Sequence, residues 1–142
     1  MSISDKRRAG LSLLISMVAF RSIVAYQHVF DIYNVWYDIY VYLLILPIDG
    51  IIAGAYGLWS RDKRLAFSIG FLPPLISLCI YILKQKISDP MFHRGIVISG
   101  GSAVSMGLMG YGLAGWKEKG KLYFFIGILW FVLFFMMLIG EG

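Results

Sequence analysis

The sequence predicts an all-α integral membrane protein, a bundle of five transmembrane helices forming one membrane domain over residues 1–142. Three observations carry that expectation. First, 59% of the 142 residues are hydrophobic and only 15% are charged, against about 45–50% and about 25% in a soluble domain. A soluble domain this small needs more polar surface than that. The balance excludes an ordinary cytosolic enzyme, a disordered chain, a collagen-like chain and a disulfide scaffold. Second, five apolar stretches approach the roughly 20 helical residues needed to cross about 30 Å of hydrocarbon. Third, the basic residues collect in short turns that fall mainly on one side.

The first span covers about residues 9–30, after a basic segment holding Lys6, Arg7 and Arg8. It reads as a membrane helix and not as a cleaved leader. Arg21 interrupts the apolar run, and no small-residue cleavage pattern follows. The second span covers about 39–59. The third covers about 65–83, the fourth about 95–116 and the fifth about 122–140. Period-two alternation, which barrel strands require, is absent from these runs.

Arg61, Lys63 and Arg64 lie between the second and third spans, and Lys117, Lys119 and Lys121 between the fourth and fifth. With the N-terminal cluster they fall on one side. Basic residues favour the cytoplasmic face, so the N-terminus is expected inside and the C-terminus outside the cell membrane. The net charge of +5 is then explained by orientation, and nucleic acid is not an expected partner. Tyr33, Trp36, Tyr37, Tyr40 and Tyr42 give the outer end an aromatic layer, with Trp59 and Trp116 marking the inner interface.

A shift of 57 positions superimposes Trp59 on Trp116, Arg64 on Lys121, Phe67 on Phe124, Gly70 on Gly127 and Gly50 on Gly107. This is the pattern of a parallel repeat of two-helix hairpins, with the first helix appended. Similar composition alone produces some of these matches.

Small residues recur at intervals of four. Gly50 and Gly54 stand on the second span, and Gly95, Ser99, Ala103 and Gly107 on the fourth. A smooth small-residue face lets helix backbones approach closely in lipid, within one chain or between subunits.

Arg21 and Asp49 are the most informative residues. Each lies about 15–18 Å from the inner boundary, near the midplane. An unpaired charge there costs about 2.5–3.5 kcal/mol on insertion scales. Opposite charges at equal depth on consecutive antiparallel helices suggest an ion pair. That pair serves either as a structural clasp or as a relay in which Asp49 carries a proton and Arg21 tunes its affinity. Pro47, Pro73 and Pro74 stand in the second and third spans, where a missing donor kinks or breaks a helix.

His28 and His93, the only histidines, both map near the outer boundary and could ligate a metal or haem. Their spacing matches no metal or haem motif. The lone Cys79 can form no intramolecular disulfide. No nucleophile elbow, phosphate loop or dinucleotide fingerprint is present.

The first expectation is a non-catalytic membrane component, either a subunit of a larger complex or a small homo-oligomer, without a cofactor. Its partners are the lipid bilayer and other membrane subunits or further copies. The alternatives are a small proton- or ion-coupled transporter or channel built on Arg21 and Asp49, and a haem or metal redox protein built on His28 and His93.

Overall fold

The computed structural model describes residues 2–27, 46–84 and 90–139. Among them are five α-helices and no strand: α1 (Ile3–Gln27), α2 (Leu46–Ser60), α3 (Lys63–Lys84), α4 (Pro90–Ala114) and α5 (Gly120–Ile139). The aromatic segment from Asp31 to Tyr42 lies outside the described residues.

Helix α1 starts six residues ahead of its expected span because Ser2 caps it. The Ser2 Oγ accepts a hydrogen bond from the Asp5 backbone N–H at 3.2 Å and donates to the Asp5 carboxylate at 2.8 Å. This S-x-x-D cap starts a helix in polar sequence that hydropathy ignores.

A two-residue turn joins α2 to α3. Arg61 adopts the left-handed conformation, φ 60°, and its N–H closes on the Gly57 carbonyl at 2.8 Å. Asp62 then caps α3 by accepting from the Leu65 N–H at 3.2 Å. The second turn, residues 115–119, is closed by the Gly120 N–H donating to the Gly115 carbonyl at 3.0 Å. A Cβ on Gly120 would sit 2.1 Å from the Gly112 carbonyl oxygen. Only glycine lets α5 fold back so directly onto α4.

Helix α4 is the hub, packing on α2, α3 and α5. Helix α1 lies mainly against α3 and touches α2 only lightly. The main core joins Ala53 and Tyr56 of α2, Leu65, Ala66 and Ile69 of α3, and Ala114 of α4. Leu13, Leu14 and Met17 of α1 close over it. A smaller cluster places Leu46 against Phe131, Phe134 and Phe135 of α5.

Helices α3 and α5 start at Lys63 and Gly120, the same offset that relates the two hairpins in sequence. Their packing is not symmetric. Helix α3 packs extensively on α4, whereas α5 meets α2 only at its edge.

Among the described residues, two of the five helices, α3 and α5, are long and apolar enough to cross a membrane, against the five spans expected from the sequence. They differ in burial. Of the apolar window in α3, 39% is buried, against 11% in α5. Leu122, Phe125, Leu129, Val132, Leu133 and Met136 of α5 all face outward.

Candidate functional site

The three basic segments meet at one end of the bundle. Lys6 Nζ donates to the Trp59 carbonyl at 3.1 Å and lies 5.4 Å from the Trp59 ring centre. Arg7 pairs with Asp62 at 3.4 Å, and Lys63 pairs with Glu118. Lys121 lies over the Trp116 ring at 5.5 Å. Both tryptophans therefore stand at the basic end, each beneath a lysine. These contacts also make α1 antiparallel to α2, and bring the α2–α3 turn against the α4–α5 turn.

Antiparallel packing sets the depth of the central pair. Asp49 lies roughly 17 Å along α2 from Ser60, at about 1.5 Å per residue. At that level the Arg21 guanidinium donates through Nη2 to Asp49 Oδ2. Both residues are enclosed, Arg21 being 9% exposed and Asp49 3%. Among the described residues, Arg21 is the hydrogen-bond partner of the Asp49 carboxylate. A buried carboxylate without a cation would carry a large desolvation cost, so each charge makes the other tolerable.

Small residues around the pair set how closely α4 approaches. Gly50, next to Asp49, faces Met106 and Met109, and Gly54 faces Leu113. Gly107 takes the Phe67 ring, and Ala103 is fully buried. Gly95 and Ser99 stand in the first half of α4, and the Ser99 side chain lies outside the described residues.

Backbone contact is closest elsewhere. A Cβ on Gly70 would lie 2.4 Å from the Met106 carbonyl oxygen, and one on Gly110 would lie 2.5 Å from that of Ala66. One on Gly57 would meet the Gly110 carbonyl oxygen at 2.7 Å. Helix α4 thus presents Ala103, Met106, Gly107, Gly110 and Ala114 to its neighbours. Its small residues Ala103, Gly107, Gly110 and Ala114 alternate steps of four and three, because a row of strict fours drifts about 40° per step. The drift carries Tyr111 off the face. Spacing by four alone misses Gly70 and Gly110, since nothing in local sequence says which carbonyl will lie opposite.

The prolines have different settings. Pro47 falls in the first turn of α2 as described, where a missing N–H breaks no helical bond. Pro73 and Pro74 lie inside α3, whose helical backbone continues past both, and both are buried. The turn before them lies against α4 at Gly70, where a Cβ would meet the Met106 carbonyl oxygen.

His28 also lies outside the described residues, as does the side chain of His93, whose backbone belongs to the first turns of α4. Among the described residues no three His, Cys, Asp or Glu side chains are grouped to hold a metal ion. Cys79 is exposed on α3.

Comparison with protein-family models, with curated proteins and with solved structures finds no match to this chain. The functional reading therefore rests on geometry alone.

Proposed function

We propose that this chain is a five-span protein of the cell membrane, N-terminus inside, acting as a non-catalytic component of a membrane assembly. The assembly is either a larger complex or a small homo-oligomer. One observation carries the proposal: the Arg21–Asp49 pair is buried between α1 and α2, while the most apolar helix is left largely uncovered. Arg21 and Asp49 join α1 to α2, and Lys63 and Glu118 join the two inner turns. Helix α5 packs on α4 along one side and offers an apolar face on the other. The turns at 61–62 and 115–119 are too short to hold a soluble catalytic domain between the helices they join.

The membrane part of the reading is supported by α3 and α5. Helices α1, α2 and α4 pack beside them, and the basic residues gather at the end that the positive-inside rule assigns to the cytoplasm. The matched starts of α3 and α5 support a duplicated hairpin as the origin of the second half.

Native mass spectrometry after gentle extraction from the source membrane tests the proposal. Stoichiometric further subunits or a defined homo-oligomer are expected. A clean monomer would overturn the assembly role.

The buried pair also favours a second reading, coupled transport, because ionisable groups inside a membrane helix often mark an ion path. On that reading Asp49→Asn abolishes proton- or ion-driven flux in liposomes while the fold survives. On the clasp reading the same variant weakens the fold and no flux exists to lose.

A further inference from the structure

Helices α3 and α5 both lie on α4 but do not pack significantly on each other. Between them, at the basic end, an open cleft of about 450 Å³ is lined by Arg64, Phe67, Ser68, Leu108, Tyr111 and Tyr123. We infer that this cleft binds one anionic phospholipid, its phosphate at Arg64 and an acyl chain laid between α3 and α5. The inference rests on the membrane reading above.

The chemistry is graded along the cleft. Its mouth is basic. Arg64 is exposed and belongs to no ion pair among the described residues, so its guanidinium fork is free to take a phosphate. Lys63 stands beside it, over the Tyr111 ring at 6.0 Å. The walls below the mouth are aromatic and apolar. Tyr111 and Tyr123 meet edge to face at 5.1 Å, and Phe67 stacks on Phe71 at 5.4 Å. Phe71 continues the apolar wall one turn further along α3. The depth comes from Gly107, whose missing side chain admits the Phe67 ring against α4. The Ser68 hydroxyl is turned back to the Arg64 carbonyl at 3.0 Å, so it adds no polar demand to the wall.

The location matches a lipid better than a soluble anion. Arg64 sits at the basic end of one of the two helices apolar enough to span a membrane, and Tyr123 sits at the same end of the other. Basic residues at that end lie at headgroup level of the inner leaflet, and the aromatic band lies just beneath. A basic pocket between helices on that side is the arrangement that takes anionic headgroups. A free phosphate would use only the mouth and leave the apolar walls wet.

The test uses the full chain in detergent, titrated with phosphatidylglycerol and with phosphatidylcholine of the same acyl chains, read by native mass spectrometry. One phosphatidylglycerol is expected to bind in preference to phosphatidylcholine. Arg64→Ala should weaken it about fivefold, as loss of one basic contact near a headgroup predicts. Ser68→Trp should block the cleft and lower binding of the same lipid while Arg64 remains. Lys119→Ala, at the same end but outside the cleft, should leave binding unchanged, and millimolar inorganic phosphate should not compete. Equal binding of the two lipids, or equal losses in Arg64→Ala and Lys119→Ala, would overturn the site. Competition by inorganic phosphate would replace it with an anion site at the mouth. The membrane reading is checked separately by alkaline carbonate extraction. Release of the chain from the membrane would overturn both, whereas retention without lipid preference would overturn the cleft alone.

Discussion

Helices α1 and α4 are joined to α2 by opposite means. Helix α4 meets α2 through shape: Gly57 against the Gly110 carbonyl, Gly54 against Leu113, and Gly50 against Met106. Helix α1 meets α2 through a few directed polar bonds. At the basic end, Lys6 donates to the Trp59 carbonyl and the Tyr56 hydroxyl donates to the Lys6 carbonyl at 3.0 Å. Further in, the Arg21–Asp49 pair closes the seam. On the membrane reading proposed above, the hydrophobic effect does not draw helices together, so association depends on close packing or on interhelical hydrogen bonds. This protein uses each on a different face of one helix. The packed face is vulnerable to a single methyl group, and the bonded face to the loss of a single charge.

The largest effect is expected at the bonded face. Arg21→Ala leaves Asp49 buried without its cation and should destabilise the fold by about 3–5 kcal/mol. Detergent-titrated unfolding, followed by circular dichroism, measures it. Replacing both members together, Arg21→Leu with Asp49→Leu, should recover most of that loss, because the desolvation cost of both charges disappears. A charge exchange, Arg21→Asp with Asp49→Arg, should recover part of it. If the double leucine variant is no better than Arg21→Ala, the pair does more than neutralise buried charge, and the transport reading gains weight.

At the packed face the expected losses are smaller and their sign depends on position. Gly110→Ala drives a methyl against the Ala66 carbonyl and the Ala53 Cβ, and should cost about 1–3 kcal/mol as overpacking. Gly100→Ala on the same helix meets nothing within 4 Å among the described residues. It should be neutral or gain up to about 1 kcal/mol from helix propensity. Thermal unfolding of the two variants side by side separates them. Equal losses would mean that α4 tolerates no added bulk anywhere, and that close approach at Gly110 is not what holds α2 and α3 to it.

The two faces were unequally legible in the sequence. The bonded face could be read by counting, because opposite charges at equal distances from shared basic ends can meet only if the helices run antiparallel. The helical class and the five helices followed from run length and hydropathy. The packed face could be read only in outline. Gly50, Gly54, Ala103 and Gly107 were visible as a spacing, yet Gly70, Gly110, Gly112 and Gly120 owe their importance to carbonyls on other helices. Tertiary arrangement decides which glycine faces a backbone, and a single chain read residue by residue does not contain it. The cleft between α3 and α5 was invisible for the same reason. It exists because two helices share a neighbour without packing significantly on each other, a relation that no periodicity encodes. Helix α1 began early because a serine cap, not hydropathy, sets its start.

The smallest effect is expected in the turn that holds both faces in register. Arg61 ends α2 in the left-handed conformation, φ 60°, which costs a side-chain-bearing residue about 1–2 kcal/mol. Its exposed side chain joins no ion pair among the described residues that would offset this. Glycine at that position removes the steric cost but adds about 0.5–1 kcal/mol of unfolded-state entropy. Arg61→Gly should therefore stabilise the fold by about 0.5–1 kcal/mol, while Arg61→Lys, with the same strain and charge, should leave it unchanged. Both faces of α2 feel the angle at which this turn delivers α3, so the gain should appear equally in the Arg21→Ala and Gly110→Ala backgrounds. A gain confined to one background would show that the turn supports only that face.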